Sequence, residues 1–145
     1  MKIIICGSIS AAKEIEDARD QLVATGHEVE IPEGVKHLKE WQDPSATTEE
    51  KAERKIKNDL IRGYYEKMKG YDVVLVVNSP KKGIDGYIGG NTLIEMAFAH
   101  ILNKKLYILN PLPELSYTSE MIAMQPIILN GDLSQIVYLE ITDKV

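Results

Sequence analysis

Val73-Val74-Leu75-Val76-Val77 is the stretch that decides the fold. A run of uncharged, mostly β-branched residues cannot alternate between a wet and a dry face. It therefore reads as a strand covered on both sides and central in its sheet. The run passes into Asn78-Ser79-Pro80 and then a loop, Lys81 to Gly90, that carries Gly83, Gly86, Gly89 and Gly90.

Working outward, Ile3-Ile4-Ile5-Cys6 has the same doubly buried character and turns at Gly7-Ser8. Ser10 can cap a helix whose apolar stripe is Ala11, Ile15, Ala18 and Leu22, ended by Gly26. His27 to Ile31 alternates like an edge strand before Pro32. Residues 33–50 are polar and weakly periodic, a surface excursion or a mobile lid. Thr47 and Glu50 fit a capping box for a long helix carrying Ile56, Leu60, Tyr64 and Met68 on one face, closed by Gly70. A helix from about Asn91 to Leu102 and a strand at Leu106-Tyr107-Ile108-Leu109 follow the glycine loop. Ser116 to Met124 reads as a short helix, Ile127-Ile128-Leu129 as a short strand, and Asp132 to Leu139 as a last helix or strand.

Strands alternate with crossovers long enough for parallel pairing. The expected fold is one α/β domain over residues 1–145, a three-layer α/β/α sandwich on a parallel sheet of about four or five strands, Rossmann-like or flavodoxin-like. In such sheets ligands bind beyond the carboxyl ends of the strands. Gly7-Ser8-Ile9 and the 78–90 loop should meet there.

Composition narrows the partners. The chain has 145 residues, 44% hydrophobic and 27% charged, a globular balance. A net charge of −5 leaves no broad basic surface for polymeric nucleic acid. A small anion remains admissible, because helix N-termini bind anions through backbone N–H groups. The single cysteine, Cys6, rules out an intrachain disulfide and suits a reducing compartment. No run approaches the roughly 18 apolar residues of a membrane span, so no membrane partner and a cytoplasmic location are expected. His27, His37 and His100 lack metal-ligand spacing, and neither a metal nor another cofactor is expected.

Glu95 is the residue with most to explain. It is the only acid in the apolar helix Thr92 to Leu102, which should be largely buried, and a carboxylate there must find water, a partner or a ligand. It can serve as a nucleophile or general base at the cleft. Alternatively Thr92 and Glu95 form a capping box, with Glu95 folded back onto the N–H of Thr92. Asn91 is either the helix cap or a ligand contact. Tyr87 can stack on a base or be a surface aromatic, and Lys81-Lys82 read as a solvated face, from which Lys82 could touch an anionic ligand.

The segments Ile4-Ile5-Cys6-Gly7-Ser8-Ile9, Asp72 to Val77 and Gly90-Asn91-Thr92-Leu93-Ile94-Glu95-Met96-Ala97-Phe98-Ala99, followed by Asn103-Lys104-Lys105, resemble the nucleoside 2-deoxyribosyltransferase-like superfamily. That group includes the 2'-deoxynucleoside 5'-phosphate N-hydrolases. The resemblance implies cleavage or transfer of a nucleoside or nucleotide N-glycosidic bond, with Glu95 as the nucleophile. It also implies that Gly7, Ser8 and Ile9 line the sugar and base side. The loop with Gly86, Tyr87, Gly89, Gly90, Asn91 and Thr92 would hold the 5' end. A second carboxylate would protonate the departing base, and Asp59 is the candidate on the helix before the third strand. Its other reading is an exposed residue paired with Lys55 at i−4 and Arg62 at i+3. Asp85 is an alternative acid, and Asp72 should be structural.

The chain departs from the family at Ile4 and Ile5, at Ser10, and at Gly89 in place of an acid. These differences favour the alternative, a non-catalytic nucleotide-binding regulatory protein of the same fold. A homo-oligomer is compatible with the resemblance, and the apolar segment Met121 to Leu129 is either its interface or core.

Overall fold

The computed structural model describes residues 1–136. In chain order these form β1 (Lys2–Cys6), α1 (Ala12–Ala24), β2 (Glu28–Glu30), α2 (Glu33–Lys36), α3 (Leu38–Trp41), α4 (Thr48–Lys57), α5 (Leu60–Lys69), β3 (Val73–Val76), α6 (Gly90–Ile101), β4 (Lys105–Ile108), α7 (Thr118–Ala123) and β5 (Ile127–Ile128). Short 3₁₀ turns occupy Ile9–Ala11 and Leu133–Gln135. The five strands are all parallel in the order β2-β1-β3-β4-β5. This is the flavodoxin-like arrangement of a doubly wound sheet. The uncharged run of β3 lies at the centre, with Ile3 to Cys6 of β1 in register against Val73 to Val76. The alternating β2 lies at one edge.

Successive strand residues point to opposite faces and build two cores. Ile3, Ile5, Val73 and Leu75 pack under Ile15, Ala18 and Leu22 of α1. Ile4, Cys6, Val74 and Val76 pack under Tyr64 and Met68 of α5, Met96 and Ala99 of α6, and Met121 of α7. Burying each of the larger side chains contributes about 1.5–3 kcal/mol. The result is the expected three-layer α/β sandwich. Asp72 is structural: the Lys2 N–H donates to its carboxylate at 2.9 Å, and its own N–H donates to the Lys2 carbonyl at 2.8 Å.

Several local readings need correction. Ser8, not Ser10, is the capping residue after β1, accepting from the Ser10 N–H at 3.3 Å, and α1 follows without a side-chain cap. The long helix is two helices. Asp59 adopts the left-handed conformation (φ 46°, ψ 47°), and the Asn58 side chain donates to the Arg54 carbonyl at 2.9 Å. Asp and Asn tolerate that region better than most residues, so the chain bends here. Tyr64 and Met68 consequently reach the core while Ile56 is left 77% exposed. Thr47 caps α4 as expected, accepting from the Glu50 N–H at 3.1 Å.

Residues 33–50, read as a surface excursion or a mobile lid, carry two short helices ahead of α4. These are α2 and α3, and Lys67 of α5 pins the first of these by pairing with Glu33 at 2.6 Å and with Glu30 at 3.4 Å. Within the segment 121–129, Met121 and Leu129 are fully buried, whereas Ile122 and Ile127 are exposed. Residues 137–139 of the last expected element lie outside the described residues. Among those described, no helix is long and apolar enough to cross a membrane.

Candidate functional site

The sheet order reverses between β1 and β3, and the crevice opens beyond their carboxyl ends. Gly7 lets β1 turn there: a Cβ would lie 2.9 Å from the Val77 carbonyl oxygen and 3.0 Å from Ile15 Cδ1. Buried Asn78 fastens the loop after β3. Its side-chain amide donates to the carbonyls of Gly86, Asn110 and Pro111 at 3.2, 3.0 and 3.1 Å, and its oxygen accepts from the Asn110 N–H at 2.9 Å. Gly86 (φ +65°) faces this hub, where a Cβ would come within 2.4 Å of the Pro111 oxygen. It shapes the loop and is not among the residues lining the cleft.

The cleft has a volume of about 440 Å³. Gly7, Ser8 and Ile9 form one wall; Tyr87, Gly89, Gly90, Asn91 and Thr92 form another. The fold thus brings together most of the positions singled out in the sequence. Lys81 donates to Ser8 Oγ at 3.3 Å, bridging the two loops. The Tyr87 ring sits where a side chain on Gly89 would be, 3.3 Å from an added Cβ.

Helix α6 begins at Gly90 with Gly89 as its cap, and no side chain accepts from its first turn. Asn91 is therefore inside the helix and borders the cleft rather than capping it. The Thr92–Glu95 capping box does not form, because Thr92 already lies in the first turn. The expectation of a largely buried helix holds only on its inner face: Ile94 and Ile101 are exposed.

Glu95 belongs to that inner face and is 8% exposed. The Cys6 thiol donates a hydrogen bond to its carboxyl. Burial raises the Glu95 pKa from the usual carboxyl range to about 8, while the charge of Lys55 and the thiol bond act against that rise. Burial, then the charge of Glu95 and the shared hydrogen bond, push the Cys6 thiol well up, so it stays a donor. Glu95 is not among the residues lining the cleft, whereas Thr92 and Lys55 are. The site thus sets a buried carboxyl of raised pKa within reach of the charge of a cleft lysine, a kind of perturbation that clusters at functional sites.

Asp59 is not brought to this cleft. It pairs with Arg62 at 3.3 Å, forms no salt bridge with Lys55, and borders a neighbouring hollow of about 830 Å³. Asp85 is exposed. Among the described residues no Asp or Glu lines the cleft.

Sequence reasoning missed Trp41, Lys51, Arg54 and Lys55, all of which line it, and read Lys81 only as solvated. The signal for the cations was their spacing at i, i+3 and i+4, which puts them on one helical face. Trp41 gave none beyond being the sole tryptophan in a polar segment. No group of three or more His, Cys, Asp or Glu among the described residues is arranged to hold a metal. Comparison with protein-family models, with curated proteins and with solved structures finds no match.

Proposed function

We propose that this chain cleaves or transfers the N-glycosidic bond of a nucleoside or nucleotide, with Glu95 as the nucleophile. The observation that carries this reading is the buried Glu95 carboxyl, held by the Cys6 thiol and acted on by the charge of Lys55, a residue of the cleft. Around it stand a glycine-rich loop for close approach, the rings of Trp41 and Tyr87 for a base, and an uncapped helix start for an anionic 5' end.

In the first step a carboxylate oxygen of Glu95 bonds to the anomeric carbon as the bond to the base breaks. The electron pair goes to the base nitrogen, which takes its proton from water, since among the described residues no Asp or Glu lines the cleft to supply it. Water or a second base then attacks the same carbon and restores Glu95. Lys55 favours the carboxylate that this step requires.

A second reading is a nucleotide-binding protein without turnover. It is favoured because, among the described residues, neither Glu95 nor any other acid is on the lining. The two readings separate chromatographically. The protein is incubated with a panel of nucleosides and 5'-nucleotides, with and without an acceptor base. Free base, or exchanged base, supports the enzyme. Retained binding without release selects the second reading.

A further inference from the structure

Helix α4 turns no acid toward the cleft, although Arg54 borders both concavities and Lys57 borders the neighbouring hollow. Glu50 and Glu53 border the 830 Å³ hollow, together with Glu33, Glu40 and Asp59, whereas Lys51 and Lys55 border the cleft. Lys81 enters the cleft from the loop after β3, held at Ser8 Oγ. Among the described residues none of these three lysines forms a salt bridge. In a chain of net charge −5, a cleft with cations on two sides and, among the described residues, no acid on its lining is not an effect of composition. Like charges at i and i+4 repel, and a bound anion relieves that repulsion.

Arg54 has a different task. It donates to the Trp41 carbonyl at 2.8 Å and lies over the indole, 5.5 Å from the ring centroid, so it fixes an aromatic face at the cleft. A phosphate monoester carries up to about two negative charges. Lys51, Lys55, Lys81 and the start of α6 together offer more positive potential than that, and they do so from separate walls.

We infer that the cleft takes a nucleotide through a diphosphate group, bound by Lys51 and Lys55 of α4 and by Lys81, with the base toward the Trp41 ring. This deepens the reading of the cleft as a nucleotide site. The ligand class is then a nucleoside diphosphate, a nucleoside triphosphate or a dinucleotide, in place of a free nucleoside. The chemistry shared by these sources is the pyrophosphate link.

Calorimetric titration tests this without requiring turnover, using inorganic phosphate, inorganic pyrophosphate, adenosine, AMP, ADP and ADP-ribose. Pyrophosphate alone makes the result independent of base preference, and the emission of Trp41, the only tryptophan, reports whether the cleft is the site. Pyrophosphate should bind about tenfold or more tightly than phosphate, and ADP should exceed AMP by a similar factor. Comparing ADP with ADP-ribose distinguishes a terminal from a bridging diphosphate. The double variant Lys51→Gln/Lys55→Gln, its fold checked by circular dichroism, should lose the preference. Lys57→Gln, on the hollow side, should keep it. Equal affinity for phosphate and pyrophosphate, no binding of either, or a preference surviving in the double variant overturns the inference. Base release is read separately, so the diphosphate ladder can stand where the enzyme reading fails, and the reverse.

Discussion

The Cys6 thiol donates its hydrogen bond to the Glu95 carboxyl, tying the last residue of β1 to the second turn of α6 beneath the cleft. The bond gives a buried carboxyl a neutral donor in place of a full counter-ion. Its acidity is then set mainly by burial and partly by Lys55, a residue that a ligand in the cleft would touch.

Glycosidic activity should therefore rise with pH through about 8, as Glu95 ionises, and level off above that. Cys6→Ala removes a donor that favours the carboxylate, so the rising limb should move to higher pH with the plateau retained. Initial rates of base release between about pH 6 and 10 check this. A profile that falls with pH would give Glu95 the role of a proton donor instead.

Stability should run the opposite way. The carboxyl titrates near 4.5 when unfolded and near 8 when folded, so between those values the native state holds a proton that the unfolded state has lost. Stability due to this group is full below the lower value and declines as pH climbs to about 8. Glu95→Gln cannot ionise, so its melting temperature should gain on the wild type steadily across that window. Parallel melting curves for the two proteins would show that the raised pKa is not present.

On the acid side the control lies at α2. Burial pushes Glu30 up, but the hydrogen bond from Lys36, the Ile31 N–H and the charges of Lys36 and Lys67 outweigh it, and its pKa is lowered. The hydrogen bond from Lys67 leads the lowering of Glu33. Groups lowered on folding stabilise the native state above the usual carboxylate range and lose that contribution as pH falls through their folded pKa values. Lys67→Met should flatten this acid limb. At neutral pH it should cost no more than about 1 kcal/mol, because the pairs are partly solvated. Thermal unfolding as a function of pH measures both.

Gly83 and Gly86 both hold positive φ, at +73° and +65°, but only Gly86 is enclosed. Gly83→Ala should cost about 1–2 kcal/mol, the strain of the left-handed backbone. Gly86→Ala adds the collision with the Pro111 oxygen and opens the Asn78 hub, so its loss should reach about 3 kcal/mol or more. Urea denaturation of the two variants side by side gives the difference; equal losses would mean the hub is not rigid.

The parallel sheet was legible because Val73 to Val77 and Ile3 to Cys6 carry no charge, which only a doubly covered strand tolerates. The cleft was legible wherever strand ends and glycines mark it: Gly7, Ser8, Ile9 and the loop through Thr92. The bend at Asp59 was not, because helical periodicity continues across Asn58-Asp59 and a left-handed residue leaves no periodic trace. That bend swings α4, and with it Lys51 and Lys55, to the cleft, where the sequence shows only a charged face. The partner of Glu95 was hidden for a related reason: Cys6 reads as a small core hydrophobe until β1 and α6 are packed together.

The most direct measurement is the initial rate of base release by wild type and by Glu95→Gln, using the best substrate from the nucleoside and nucleotide panel. Both proteins must be shown to be folded and to bind that substrate. The expected result is unchanged binding with a loss of turnover of at least about a thousandfold in the variant, as for removal of a nucleophile. Release at comparable rates by the two proteins would contradict the assignment of Glu95.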